Sequence, residues 1–490
     1  MDSIWPTLSA FPTARDATGS KKQLDAVLKD HAQAVKQLLG SHRQVIAANV
    51  GQILAKLDPA ENSLAFLCVL HASLDPRHPP AGIDRTALLD ETLRFLLNFD
   101  PLQIRYSGLS FRKLLETIAA GQVFSSLVSI EALASAMLRM DPSGSMFTST
   151  HLMLVKYAYE SSWIEPALKV LDCDITFYPG MAGQRDARLL CDPSISPASY
   201  ISVDTGLTES VKSASVLEYN LLSGLCYMTR KDWTRAYRAL ERVITHPSRD
   251  KGVSKIMDEA YKRWVLVGLL KDGKEPTLPP YTAASAKTTY ATLGLPYKSV
   301  AGLFSTNNAT QLNGEVEGNH HIWEEDNNLA LITEVVAAYQ KWQIINLRDI
   351  FKEISISQLR WVTLSAETGE SLESDDEVWN LVSEMIESNL LKGELLQGSS
   401  GEDTYLKFHD ESDFMTETDF AREIAQRHHN IESLGKQYQA ANERLSSSKE
   451  YVRHMVREQK RAEKDGTDPG LGFDSQVEDE DLMTGIMAHG

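Results

Sequence analysis

The sequence predicts a mainly α-helical protein: a helical-repeat solenoid, then a winged-helix subdomain with a small β-wing, then one long C-terminal helix. Three observations predict it. From Lys21 onward, apolar residues recur at three- and four-residue steps between turn-forming breakers. Between residues 344 and 410, helix-length apolar segments give way to two short apolar runs flanking a Gly-rich turn. From Thr416, one apolar stripe continues on an alternating four-three spacing.

The first half is read from its breakers. Leu24, Val27, Leu28, Val35, Leu38 and Leu39 set a helical period. Asp58-Pro59, the Pro-rich stretch Asp75–Gly82, Asp100-Pro101 and Asp141-Pro142 then cut the chain into helix-length pieces. Cys173–Val203 carries Pro179-Gly180, Gly183, Pro193 and Pro197 with little periodicity and is expected to be irregular. Tyr219–Pro247 places Gly224, Tyr227, Ala236, Leu240 and Val243 near the small and large positions of a tetratricopeptide-like helix-turn-helix repeat. In such a pair a small residue lets the helices approach and large ones fill the gap. Leu152–Leu171 is a weaker echo, with Ala167 and Leu171 on its second helix. Lys255–Lys271 is a helix with Gly273 as its C-cap. Tyr297–Ser305 and Asn328–Gln343 follow, joined by a polar connection over Asn307–Glu325.

Around residue 344 the pattern changes. Ile345, Leu347, Ile350, Phe351 and Ile354 predict an amphipathic helix over Ile344–Ile354. A second helix over Ile356–Leu364 is capped by Ser355 or Ser357, and a third spans Glu377–Asn389. The wing comprises the run Leu390–Leu396, a turn at Gly398–Gly401, and Thr404–Phe408. The C-terminal seam is Phe420, Ile424, Ile431, Leu434, Tyr438, Ala441, Leu445, Val452 and Met455, with polar Arg427 and Ser448 interrupting it. Ten Lys/Arg and eight Asp/Glu between Thr416 and Lys464 lie mostly off that seam, which suits a solvated exterior. The last segment, Gly466–Gly490, has six acidic residues and no Lys or Arg, a composition that predicts a disordered acidic tail. The domains expected are therefore 1–200, 205–343, 344–410, 416–465 and 466–490.

Composition and motifs bear on function. The 490 residues are 42% apolar and 24% charged, enough for a sizeable core, and the net charge of −18 opposes general phosphate-backbone binding. Cys68, Cys173, Cys191 and Cys226 form no C-x-x-C pair and suit reduced core thiols of the cytosol or nucleus. No secretory signal or membrane-length apolar run is present. Gly268-x-x-x-x-Gly273-Lys274 has phosphate-loop spacing, but Glu275 stands where a hydroxyl is needed and a helix precedes it. His320-His321 and His428-His429 are adjacent pairs whose side chains diverge, so they are expected to be surface histidines. The winged helix raises nucleic-acid binding, yet its third helix opens on Asp375, Asp376 and Glu377, which phosphate would repel. No catalytic, cofactor-binding or metal-binding residue is expected, and the chain reads as a non-enzymatic scaffold. The seam must either fold back on its own domain or join a bundle with partner helices.

The words Gly224-Leu225-Cys226-Tyr227, Ala236-Tyr237-Arg238-Ala239-Leu240-Glu241 and Val243-Ile244-Thr245-His246-Pro247 occur in that order. Glu259–Val267, Phe304-Ser305-Thr306-Asn307-Asn308, Asp326-Asn327-Asn328-Leu329 and Lys407-Phe408-His409-Asp410 follow. By these words, spanning Leu152–Asp410, and by its layout, the chain resembles the PCI-domain family. Its members are subunits of the proteasome lid, the COP-9 signalosome and a translation initiation factor complex; the likeness here is to the signalosome branch. The resemblance implies a non-catalytic subunit of an assembly that removes a ubiquitin-like modifier from cullins. It implies contacts with other PCI and MPN-type subunits through winged-helix edges and a C-terminal helical bundle, and an indirect link to cullin-RING ligases. Tyr405, Leu406, Lys407 and Phe408 would then lie at a winged-helix edge. It also implies no cofactor, no membrane, no direct nucleic acid, and a place in cytoplasm and nucleus. A lid paralogue remains the alternative, and a winged-helix nucleic-acid-binding factor is the alternative of another class.

Overall fold

The helices follow from where the breakers fall and from caps that satisfy their free ends. The structure, a computed structural model, describes residues 4–11, 20–74, 83–121, 123–179, 189–247, 252–397, 404–409, 416–446 and 451–457. The expected tail over 466–490, the Gly398–Gly401 turn and Ser448 lie outside the described residues. The chain divides into two units, Met1–Phe420 and Ala421–Gly490.

In the first unit, successive helices pack as neighbours. Asp84 caps Arg85–Asn98 by accepting from the Thr86 N–H, and Asp100 caps the turn at Pro101–Ile104 in the same way. Ser126–Met140 packs on Ser149–Glu160 and Glu165–Leu171; Ser149–Glu160 packs on Ser213–Thr229; and that helix packs on Trp233–Ile244, which packs on Lys255–Asp272. This neighbour-on-neighbour stacking is the solenoid that the sequence predicts. The repeat positions do their expected work. A Cβ at Gly224 would lie 3.0 Å from the Leu240 side chain, so the glycine lets the two helices approach closely without displacing Leu240. Ala236, Leu240, Val243 and Ala167 are fully buried. The Gly268-to-Gly273 spacing is likewise structural. Gly268 lies inside Lys255–Asp272 with Pro276 pressed against it, and Gly273 is the left-handed C-cap at φ 67°.

The family words at Glu259–Val267 and Asp326–Leu329 meet in space. Lys262 Nζ lies 2.8 Å from Asp326 and 3.3 Å from Asp258. The Tyr297 hydroxyl donates to Asp326 at 2.8 Å and accepts from the Asn328 amide at 2.8 Å. Asn327 takes the left-handed conformation at φ 53°, which turns the chain so that Asp326 and Asn328 both face this network.

Two expectations are corrected. Asn307–Glu325 is not a connection but two helices, Ala309–Gly318 and His320–Glu325. Asn308 caps the first, and buried Leu312 and Trp323 anchor the pair to the core. There is also no separate helix over Ile344–Ile354. The helix Leu329–Asn346 runs through the expected boundary and tightens into one 3₁₀ turn; the chain then forms strand β1, Glu353–Ser355. The apolar spacing fits a helix, but pairing of Glu353–Ser355 with a later strand overrides it.

That later strand is β3, Thr404–Phe408, which also pairs with β2, Gly393–Gln397. The sheet is antiparallel with order β1-β3-β2. Helices Ile356–Val362 and Asp375–Glu387 cover it, the first capped by Ser355 and the second by Ser374. Ile344, Ile354, Leu359, Val378, Val382, Met385 and Leu406 form a second core, separate from that of the solenoid. Trp342 packs against both cores.

His151 closes a capping box: its Nδ1 accepts from the Thr148 N–H at 3.1 Å. The ring is buried between Phe147 and Tyr219, and that burial pushes its pKa down to about 4. The unfolded chain takes up this proton near 6.5 and the folded one refuses it. Stability is therefore full above about pH 6.5 and falls as pH drops toward 4, by about 2 kcal/mol at pH 5. His151→Gln keeps an acceptor at the box position and removes the titration. Its urea midpoint is expected to fall less between pH 7 and pH 5 than that of the unaltered chain; an equal fall in both would contradict the assignment.

Candidate interaction surfaces

The C-terminal helix spans Glu417–Ser446, and residues 451–457 are helical again. At 30 residues the first segment is about 45 Å long. Its strong helix formers and acidic first turn, Glu417 and Asp419, favour the helix locally. Every described seam residue is exposed. Tyr438 is 72% exposed, Leu434 61% and Leu445 49%; Phe420, Ile424, Ile431, Ala441, Val452 and Met455 are exposed as well. Val456 adds an exposed apolar side chain that the strict spacing omits. Arg427, at a seam position, pairs back with Glu423 one turn earlier. A stripe of this size in water is an unsatisfied apolar surface.

In the wing, the four expected edge residues are placed differently. Leu406 and Phe408 are buried, and Tyr405 and Lys407 face outward, as the two-residue period of a strand dictates. They are not at an edge. Strand β3 is the middle strand, bonded on both sides, so the expectation of an edge at Tyr405–Phe408 is corrected. Among the described residues, the free backbone edges belong to β1 and β2. The error has a simple origin: a hairpin read alone has two edges, and the third strand comes from far upstream in the sequence.

The structure leaves several apolar side chains of the winged helix in water, which the sequence reading missed. Ile350 is 73% exposed and Trp361 70%, and Phe351, Val362, Trp379 and Leu396 also reach solvent. The available signal was the two tryptophans in short helices that need only one inward face. The Arg360 guanidinium lies 4.9 Å over the Trp361 ring. The helix Asp375–Glu387 buries Val378, Val382 and Met385 and turns Asp376, Glu377, Glu384 and Glu387 outward, while Asp375 accepts from the Ser357 hydroxyl and pairs with Arg360. Lys341, bonded to Glu384 at 2.8 Å, holds that carboxyl below its ordinary range. This face presents negative charge where a nucleic-acid reader needs positive charge.

The remaining candidates resolve into structure. His320, His321, His428 and His429 are exposed. Cys68, Cys191 and Cys226 are buried, Cys173 partly so, and all four thiols are free. Burial pushes the Cys226 thiol up to about 12, away from reactivity. Among the described residues no helix is long and apolar enough to cross a membrane.

The helical part of the chain matches a family model described as COP9 signalosome complex subunit 3, N-terminal helical repeats, over residues 21–192 and 195–285. A Neurospora crassa protein named COP9 signalosome complex subunit 3 is 36% identical over 500 residues, covering 100% of both chains. The chain belongs to the COP9 signalosome complex subunit 3 family. An Emericella nidulans protein of the same name is 32% identical over 319 residues, 63% of this chain and 64% of that one. The likeness to Neurospora runs the full length, so it includes the winged helix and the exposed C-terminal helix of this family member.

Proposed function

We propose that this chain is a non-catalytic scaffold subunit of the COP9 signalosome. That assembly removes a ubiquitin-like modifier from cullins and so regulates cullin-RING ubiquitin ligases. Family membership supports the assembly, and the exposed apolar seam on Glu417–Ser446 is the observation that supports a scaffold role. A helix that leaves Ile431, Leu434, Tyr438 and Leu445 in water is built to be buried in a bundle with partner helices. The occupants of that bundle are the C-terminal helices of other PCI and MPN-type subunits. The free strands β1 and β2, with Ile350, Phe351 and Trp361 close by in the sequence, supply the second contact, against a neighbouring winged helix.

The test is affinity capture of the full-length tagged chain followed by mass spectrometry. Signalosome subunits together with cullins are the expected set. Recovery of proteasomal ATPases instead would assign the chain to the lid. Salt-sensitive DNA or RNA binding by the purified chain would favour a nucleic-acid-binding factor. The same tag, viewed in cells, is expected in both cytoplasm and nucleus.

A further inference from the structure

The cleft beside the Trp233–Ile244 helix takes no part in the seam or the wing. That helix has a buried face, Ala236, Ala239, Leu240 and Val243. One flank is covered: Tyr237 stacks on Trp264, and Glu241 accepts from the Tyr281 hydroxyl. The other flank carries Arg235, Arg238 and Arg242 at three- and four-residue steps, hence on one face. With Asp172 and Asp174, from the end of Glu165–Leu171 and the loop after it, they line a cavity of about 230 Å³.

The three arginines are not equivalent. Arg235 Nη1 donates to both oxygens of Asp172 at 2.9 and 2.8 Å, and Asp172 also accepts from the Tyr227 hydroxyl. Arg235 Nε lies 3.6 Å from Asp232 as well. Arg242 lies 3.3 Å from Asp174, both largely in water, where such a pair contributes little. Arg238 stands between these pairs with no hydrogen-bond or ion-pair partner among the described residues. The lining thus holds three guanidinium groups against two carboxylates, one positive charge in excess, in a chain of net charge −18.

The geometry points to a subsite for an aspartate or glutamate side chain of an acidic segment on a partner polypeptide, with Arg238 as the planar fork and Arg242 as a second donor. A single carboxylate neutralises the one excess charge. A doubly charged phosphoryl group would add a net negative charge beside Asp172 and Asp174. A groove between stacked helix pairs is also where repeat proteins take extended segments.

The experiment uses the purified full-length chain, arginine modification by phenylglyoxal, and mass spectrometry of each modified site. The probe is a synthetic peptide of alternating glutamate and alanine. It is expected to slow modification of Arg238 several-fold and to leave Arg427, exposed on the C-terminal helix, unchanged. Arg238→Glu is expected to weaken binding of the same peptide at least tenfold, since a charge-assisted hydrogen bond is lost and a like charge takes its place. Arg238→Gln gives a smaller loss. Arg238 is exposed, so neither variant should alter the far-ultraviolet dichroism. Equal modification rates with and without peptide would overturn the proposal, as would unweakened binding by Arg238→Glu. Protection by a phosphoserine peptide but not by the glutamate peptide would overturn the carboxylate assignment.

Discussion

Leu434→Asp combined with Leu445→Asp is expected to release the chain from its assembly while residues 1–410 stay folded. Leu434 is mostly and Leu445 about half in water in the isolated chain, and neither belongs to a core, so replacing them removes no internal core contact. The cost falls only in a bundle. There each leucine contributes roughly 2 kcal/mol of burial, and each new carboxylate adds at least as much in desolvation. Two sites together weaken association by roughly 8 kcal/mol or more, several orders of magnitude in affinity. Co-purification with partner subunits should be lost, while thermal unfolding and far-ultraviolet dichroism of the purified chain stay unchanged. Retained co-purification would remove the seam from the assembly surface. Loss of folding would mean that the seam packs on its own domain.

The seam was legible because a heptad stripe is a one-dimensional pattern: nine positions in register need no knowledge of what lies across from them. The repeat pair was legible for the same reason. Gly224 and Leu240 are a small residue and a large one at the spacing where two helices cross, and in the structure they touch. What was not legible depends on partners distant in sequence. Glu353–Ser355 reads as a helix end, and only Tyr405–Lys407, some fifty positions later, makes it a strand. The same pairing puts β3 in the middle of the sheet and moves the free edges to β1 and β2. Ala309–Gly318 was hidden differently. It has little apolar surface and rests on Leu312, while Trp323 holds the short helix after it, too few anchors for a periodicity to show. The exposed Ile350 and Trp361 were missed because apolar residues in short helices are read as core by default.

Gly273→Val is expected to destabilise the first unit by about 3 kcal/mol, for two separable reasons. Gly273 ends Lys255–Asp272 at φ 67°, and its N–H donates to the Leu269 carbonyl at 2.9 Å. A branched side chain in this left-handed conformation costs about 1–2 kcal/mol. The position is also crowded. A Cβ would lie 2.3 Å from Cε3 and 2.4 Å from Cδ2 of Trp342, so the indole must move, at about 1–3 kcal/mol. Trp342 is the side chain that packs on both cores, so the displacement is felt in the solenoid and in the winged helix together. The two contributions can be told apart by a double-mutant cycle read from urea midpoints. In a Trp342→Ala background the crowding is gone, and Gly273→Val should cost only the conformational part. A coupling of at least about 1 kcal/mol between the two positions is expected. If Gly273→Val costs the same in both backgrounds, the glycine serves only the helix cap, and crowding against Trp342 does not contribute.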